Sequence, residues 1–281
     1  CLWRLLASPA SSPTSGRGRA TWLVDGDLGL GNVDVACGIT PPWTLADVLR
    51  GRCELRDALV PVAPGLRALA AGSGIAGLAA MPAGARDRLL RLLAEAEAGA
   101  DELVVDCGAG VGATVLGFAA AAQEVLVIAT PEPASVVDAY GLVKCITARR
   151  PAARIALVVN QVEGPHEAAA VHGRIDAVAR AHLGRSLPLA GAIPRAEAVR
   201  RAARARRPVV LAEPASPAAE AIRRLAARLL VTYIDKEVRM QDVQSFSQSV
   251  RLGHEEGLHN DRLLEFVLTH KRKLDQSIQP T

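Results

Sequence analysis

Two aspartates one residue apart, Asp25 and Asp27, end a short apolar run and open the glycine-rich sequence VDGDLGLGNVD. Two carboxylates at the tip of a strand can hold Mg²⁺ through water and orient an attacking water molecule. Glycines in the loop that follows let the backbone approach a phosphate closely. An ordinary Asp-Gly turn with solvated acids is the alternative. The spacing therefore favours phosphate chemistry and leaves a simple turn open.

A second apolar run ends at Asp106 and continues into the small-residue loop Cys107-Gly108-Ala109-Gly110. An acid at the end of a buried strand, followed by such a loop, is typical of a Walker B acid that coordinates Mg²⁺ beside a γ-phosphate sensor. The pattern predicts a water-mediated Mg²⁺ contact at Asp106 and phosphate contacts at Gly108 and Gly110.

Two weaker motifs lie further along the chain. Asn160 ends the run LVVN, and its carboxamide offers both a donor and an acceptor to the edge of an adenine. Asn at a strand end is also a common turn former. Ile193 and Pro194 follow another apolar run and could form one wall of an adenine pocket. The alternative is that the proline only ends the strand, which is common.

The elements that must position these residues alternate along residues 22–230. Short Val/Leu/Ile runs are separated by amphipathic Ala/Leu/Arg stretches of helical length. Continuous apolar runs predict strands buried on both faces, and the stretches between them predict crossover helices. The fold class is therefore α/β, a three-layer sandwich around a mainly parallel, twisted sheet. Ligands bind at the carboxyl ends of such strands, which is where the polar motifs fall.

Composition divides the chain into three segments. Residues 1–21 are rich in Ser, Pro, Gly and Arg and are predicted to be disordered or foreign to the domain. Residues 22–230 form the predicted nucleotide-binding domain. Residues 231–281 contain no alanine and are predicted to be a separate, largely helical tail. The 281 residues suffice for one large domain with an appendage.

Several classes of protein are disfavoured. No run of about 18 uncharged apolar residues occurs, so a transmembrane helix is not expected. The five cysteines are scattered without a CxxC pair, which argues against zinc sites and a disulfide framework. A cytoplasmic location is expected, and peripheral association with the inner face of the cell membrane is left open. The net charge of +4 is too small to require nucleic acid.

In this order, the motifs resemble the ParA/MinD family of deviant P-loop ATPases, and within it the FlhG/FleN branch. The resemblance rests on VDGDLGLGNVD, LAAGSGIAGLA, DELVVDCGAGVG, EVLVIATPEPASVVDAYGLVK, LVVNQV and GAIPRAEAVRRAARARRPVVL. It implies Mg²⁺ and ATP as cofactor and substrate, an ATP-dependent homodimer, and regulation of flagellar number or placement by ATP hydrolysis. Flagellar assembly proteins or a transcriptional activator are the implied partners.

The resemblance also assigns roles to individual residues. Asp27 would be the switch I acid that positions the lytic water, with Asp25 beside it. Asn32 and Asp34 would lie toward the dimer interface. Asp106 would be the Walker B partner of Mg²⁺, and Gly110 would face the γ-phosphate. Asn160 and Pro194 would frame the adenine.

The chain departs from the family at the phosphate-binding loop. A KGGVGKT-like segment is expected some 20 to 30 residues before Asp25 by the resemblance, but the sequence there reads Ser15-Gly16-Arg17-Gly18-Arg19. We therefore expect a truncated, frameshifted or spliced form in which the first strand and the P-loop are missing. The neighbouring strands are expected to have unpaired edges or to close on each other. Activity as an ATP hydrolase is expected to be impaired.

Two alternatives remain open. Gly108, Gly110 and Ala113 fit the GxGxxA pattern of a dinucleotide-dependent oxidoreductase, although that hypothesis leaves the Asp25–Asp34 motif unexplained. Six arginines between Arg195 and Arg207 could bind DNA non-specifically, as in a ParA-like partition ATPase. A solvated helix face is the favoured interpretation of those arginines.

The tail contains a candidate helix after Asn260 with Leu263, Leu264 and Val267 on one side. Residues 231–281 carry seven Lys/Arg against eight Asp/Glu, so anionic lipid would attract them weakly. A docking or loosely ordered helix is therefore favoured over a membrane anchor.

Overall fold

The computed structural model describes residues 20–72 and 83–234. Residues 1–19 of the predicted N-terminal segment lie outside the described residues, as does the predicted tail beyond residue 234, including the candidate helix after Asn260. The last described helix runs through the predicted domain boundary at residue 230 and ends at Ile234.

The described residues form seven strands. They are β1 (Thr21–Asp25), β2 (Val60–Ala63), β3 (Leu66–Leu69), β4 (Glu102–Asp106), β5 (Glu124–Ala129), β6 (Arg154–Val162) and β7 (Leu189–Pro194).

The same residues form ten helices. They are α1 (Val33–Cys37), α2 (Leu45–Leu49), α3 (Leu55–Ala58), α4 (Ala83–Gly99), α5 (Ala113–Ala121), α6 (Pro133–Arg149), α7 (Pro165–Leu183), α8 (Glu197–Arg204), α9 (Val209–Ala212) and α10 (Pro217–Ile234).

The strands form two sheets rather than one. The first has the order β2-β3-β1-β4 and the second the order β5-β6-β7. Every neighbouring pair is parallel except β2 with β3. No described strand pairs with the outer edge of β4 or of β5. The structure thus confirms the predicted parallel α/β fold. Of the two expected arrangements of the neighbouring strands, the described residues show unpaired edges and not closure of the strands on each other.

Apolar clusters explain the three layers. One cluster joins both sheets to α1, α8, α9 and α10 on a common face. On the opposite face, the first sheet packs against α2, α3 and α4, and the second sheet against α6 and α7. Successive side chains of a strand point to opposite faces of the sheet. Leu23 therefore packs in the common cluster, and Val24 packs in the cluster on the opposite face.

Burial differs between the strands in a way that the apolar runs did not predict. Residues 155–159 of β6 are all buried, because β6 is paired on both edges and covered on both faces. The equally apolar residues 103–105 of β4 are only half-buried. The outer edge of β4 faces an opening between the two sheets, which explains the difference.

None of the helices in residues 20–72 and 83–234 is both long and apolar enough to cross a membrane.

Candidate functional site

A cavity of about 1770 Å³ separates the two sheets. Its walls include residues 102–106 of β4 and residues 124–128 of β5, together with parts of α5, α6 and α10. The middle of the cavity is apolar because strand side chains line it. The polar residues at the carboxyl ends of the strands therefore surround one mouth of the opening.

The carboxyl ends of β1 and β4 place two of the predicted acids side by side. Asp25 pairs in register with Asp106, at the last position of each strand. Asp106 lines the cavity and is half-buried. Asp25 does not line it and is only 2% exposed. The two acids are therefore neighbours in different environments.

Asp25 holds the glycine-rich loop in place. Its Oδ2 accepts a hydrogen bond from the N–H of Val33 at 3.1 Å, and its Oδ1 accepts one from the N–H of Asp27 at 3.2 Å. A Cβ at Gly31 would lie 2.5 Å from Oδ2, so only glycine allows the loop to close over this carboxylate. These contacts favour a positioning role, and direct catalysis by Asp25 stays a prediction.

The environment of Asp25 changes its acidity. Burial is the main cause that raises the pKa of Asp25 to about 6, and the nearby charge of Asp106 raises it further. The backbone N–H groups of Val33 and Asp27 act in the opposite direction. The carboxyl group therefore changes its charge close to neutral pH.

Asp27 lies at the mouth of the cavity. Its Oδ1 accepts hydrogen bonds from the N–H groups of Gly29 and Leu30 at 3.3 and 3.0 Å. Its other oxygen faces the loop after β4, where a Cβ at Gly108 would lie 2.7 Å from Oδ2. Asp27 thus joins the two loops predicted to bind phosphate, with one carboxylate oxygen directed toward the second loop.

The loop after β4 has the conformation that its glycines allow. Gly108 and Gly110 adopt positive φ values of 72° and 95°, and both line the cavity. Burial and the charge of Asp106 raise the pKa of the Cys107 thiol to about 12, which disfavours its reactive thiolate form. The chemistry of this loop therefore rests on Asp106 and backbone groups.

The predicted adenine residues are only partly brought together. Asn160 lines the cavity at the end of β6. Its register partner Ile193 is 4% exposed and belongs to the core shared by the two sheets. Pro194 is half-buried and does not line the cavity. Adenine contacts by these three residues stay predictions.

The residues predicted for a dimer interface lie beside the cavity and do not line it. Asn32 is exposed and precedes α1, and Asp34 lies in the first turn of that helix. Leu30 in the same loop is 83% exposed. The loop therefore presents an apolar side chain and an amide to solvent.

Thr130 and Gln161 are among the cavity-lining residues that the sequence motifs did not predict. Thr130 follows β5, and its buried hydroxyl has no hydrogen-bond partner within the described part of the chain. Gln161 follows Asn160 and has a φ of 61°. The position of Thr130 after an apolar run could have drawn attention to it, whereas no sequence pattern marks Gln161.

The arginine-rich segment is partly neutralised. Three of its six arginines form ion pairs, namely Arg195 with Glu163, Arg200 with Glu197 and Arg201 with Glu213. Non-specific DNA binding depends on cations available to phosphates. The pairing supports the interpretation of this segment as a solvated face.

Comparison with known proteins decides the family. Over 212 residues the chain is 38% identical to the antiactivator FleN of Pseudomonas aeruginosa, covering 75% of this chain and 76% of FleN. The chain belongs to the ParA/MinD family. It is also 28% identical over 179 residues to the flagellum site-determining protein YlxH of Helicobacter pylori, covering 59% of this chain and 56% of YlxH. No protein-family profile matches the chain.

Solved structures of the ParA/MinD family share its fold. The cell division ATPase MinD of Pyrococcus furiosus aligns with a TM-score of 0.61 at 23% identity, covering 76% of this chain and 86% of MinD. The septum site-determining protein MinD of Pyrococcus horikoshii, complexed with Mg-ADP, aligns with a TM-score of 0.59 at 20% identity, covering 75% and 83%. Membership in a family of ATPases favours the ATPase hypothesis over the oxidoreductase alternative.

The donor set of this ParA/MinD site suits Mg²⁺. No group of three potential metal ligands occurs among the residues that the structure describes. Mg²⁺ in nucleotide sites is typically bound by one or two carboxylates, with water and phosphate oxygens completing its coordination. Asp106 on the cavity wall, with Asp27 at its mouth, fits that mode.

Proposed function

We propose that this chain is an FlhG-like ATPase that binds Mg-ATP at the carboxyl ends of β1, β4, β5 and β6. Its ATP-dependent state would regulate the number or placement of flagella. The identity to FleN and the similarity to YlxH, a flagellum site-determining protein, support this proposal. The observation that carries it is the position of Asp27 between the two glycine-containing loops, beside Asp106 on the cavity wall.

The residues at the mouth of the cavity would have separate roles in ATP binding and hydrolysis. Asp106 would hold Mg²⁺ through water, and Mg²⁺ would neutralise phosphate charge when it is bound. Asp27 orients the attacking water, because one of its oxygens is already fixed by Gly29 and Leu30 while the other faces the cavity side. Gly108 and Gly110 let backbone N–H groups approach the phosphates.

The adenine would lie toward the second sheet. Asn160 at the end of β6 offers a carboxamide on the cavity wall. Pro194 would contact the ring after a local movement of the loop that follows β7. Ile193 would support this wall from the core rather than touch the base, because it is buried.

The opening between the sheets would be completed by one more parallel strand that carries a phosphate-binding loop. Both β4 and β5 lack a described strand partner on the edges that face the cavity. One inserted strand would satisfy both edges and exclude water from the site. The 281 residues contain no KGGVGKT-like motif. We therefore expect this polypeptide to bind ATP at least about 100-fold more weakly than a relative with that motif, because several charge-assisted phosphate contacts are absent.

Calorimetric titration with Mg-ATP tests the nucleotide site. We expect weak binding that Asp106→Asn weakens further and that the exposed control Glu95→Gln on α4 leaves unchanged. Low-micromolar affinity would show that residues ahead of β1 supply a phosphate cradle. Binding that is unaffected by Asp106→Asn would contradict the proposed site.

A homodimer formed with ATP is the proposed active state, with Asn32 and Asp34 near its interface. The exposed apolar side chains of Leu30, Val111 and Val137 support this, because they are 83%, 49% and 68% exposed. A transcriptional activator or a flagellar assembly protein is the proposed partner, and the cytoplasm with the inner face of the membrane is the proposed location. Sedimentation with and without Mg-ATP measures the dimer, and Leu30→Ser should weaken it.

A further inference from the structure

We propose that Gln161 is a positioning residue, whose backbone orients the carboxamide of Asn160 for recognition of the nucleotide base. This inference rests on the proposed function, because it concerns how the same cavity distinguishes bases. The role belongs to the backbone N–H of Gln161 and not to its side chain.

The first observation is the irregular end of β6. Its pairing with β7 shifts in register between Asn160 and Val162, so Gln161 is an extra residue in the ladder. Gln161 adopts a φ of 61°, and Arg206 is the only other non-glycine residue in the described ranges with a positive φ. The left-handed region is unfavourable for residues with a Cβ, and such strain is concentrated at functional sites.

The second observation is the hydrogen bond that this conformation makes. The N–H of Gln161 donates to Oδ1 of Asn160 at 2.9 Å. This bond fixes which end of the carboxamide is oxygen and which is nitrogen. Among the described residues Asn160 makes no other side-chain hydrogen bond, which leaves one lone pair of Oδ1 and both N–H groups for a ligand in the cavity.

A carboxamide in this orientation favours adenine over guanine. Adenine presents a ring nitrogen that accepts and an exocyclic amine that donates, and an asparagine can match both at once. On the edge that carries N6 and N1 in adenine, guanine presents the opposite order, an acceptor at O6 and a donor at N1, so guanine fits only a carboxamide turned by 180°. A carboxamide free to rotate by 180° would lose this preference.

Three substitutions separate the backbone of Gln161 from its side chain. Gln161→Gly removes the side chain but keeps the N–H and allows a positive φ at no steric cost. Gln161→Val disfavours a positive φ strongly, because its side chain is β-branched. Asn160→Ala removes the carboxamide itself. If Gln161→Val does not fold, Gln161→Thr replaces it as a smaller β-branched change.

The experiment measures affinities of the full chain for Mg-ATP and Mg-GTP by ligand-observed NMR, which suits weak binding. We expect Asn160→Ala to lower the ATP-to-GTP affinity ratio about tenfold. Gln161→Val should lower it to the same extent, and Gln161→Gly should leave it within about twofold of wild type. Asn160→Ala combined with Gln161→Val should show no further loss, because both changes remove one interaction.

Thermal melting tests the backbone strain at Gln161 without any nucleotide present. Gln161→Gly should melt at or above the wild-type temperature, since it relieves the strained φ, and Gln161→Val should melt below it. A loss of base preference in Gln161→Gly equal to that in Asn160→Ala would overturn the inference, as would full preference in Gln161→Val. Absence of binding to either nucleotide in the wild type would instead overturn the proposed function.

Discussion

Asp25 and Asp106 end neighbouring parallel strands in register, yet only Asp106 lines the cavity between the two sheets. Asp25 is turned into the loop that follows it and is held by the N–H groups of Val33 and Asp27. Two acids that look equivalent at strand ends therefore have different tasks. Asp25 orders the loop that carries Asp27, and Asp106 faces the proposed ligand.

Asp27→Ala should abolish ATP hydrolysis while leaving nucleotide affinity within a few-fold of the parent. The physical reason is that Asp27 lies at the cavity mouth where a water can be held, away from the proposed base site at Asn160. The measurement requires a polypeptide with a phosphate-binding loop ahead of Thr21, assayed for binding and for phosphate release. Glu95→Gln serves as the matched control. Equal loss of binding and hydrolysis would make Asp27 a structural acid.

Replacing Asp25 by Asn should remove a pH dependence of stability centred between about pH 4 and pH 6. The folded-state pKa of Asp25 is raised from 3.8 to about 6, so its stabilising contribution is complete below pH 3.8 and is lost as the pH rises through 6. The free energy of unfolding of wild type relative to Asp25→Asn should therefore decrease by about 2 kcal/mol from pH 4 to pH 7. Urea titrations at several pH values measure this difference.

Asp176→Asn provides a control of opposite sign. The N–H of Leu187, the hydroxyl of Ser186 and the guanidinium of Arg180 lower the pKa of Asp176, with the backbone bond to Leu187 as the main cause. Its contribution is present above its unfolded pKa and is lost as the pH falls through the lowered value. Parallel pH profiles for the two variants would contradict the different environments that the structure assigns to these acids.

Amide hydrogen exchange should distinguish β5 from β6 in the 281-residue chain. Every second N–H of β5 faces the cavity and has no described strand as its partner, whereas β6 is paired with β5 and β7. Cavity-facing amides of residues 125–128 should exchange faster than those of residues 155–159, as followed by NMR. A polypeptide completed with a phosphate-loop strand should show protection of the β5 amides. Equal protection of β5 and β6 in the 281-residue chain would mean that another segment already fills the opening.

Removal of residues 235–281 should change the melting temperature by less than about 5 °C. The cut is placed after Ile234 because α10 continues to that residue. The alanine-free composition beyond the domain predicts that it does not share the core. Melting and liposome flotation of the full chain and the shortened chain provide the comparison. Flotation of the full chain alone would identify the helix after Asn260 as a membrane anchor.

The local sequence determined the elements and their order. Apolar runs of strand length, separated by amphipathic stretches, predict parallel strands with crossover helices, and the polar residues that end those runs had to lie at one edge of each sheet. Asp27, Asp106, Gly108, Gly110 and Asn160 lie on the cavity for this reason. An interruption of the sheet was one of two predicted outcomes, because the sequence left open whether the strands beside the missing one would keep unpaired edges or close on each other.

Only the tertiary structure decided which of these residues face the opening. Asp25 and Ile193 are buried because side chains alternate between the faces of a sheet and because the loop after β1 folds back over its last residue. The left-handed conformation of Gln161 depends on the register between β6 and β7, which are brought together by a crossover through α7. A sequence pattern specifies local periodicity, whereas register and loop closure are set by contacts between segments that are distant along the chain.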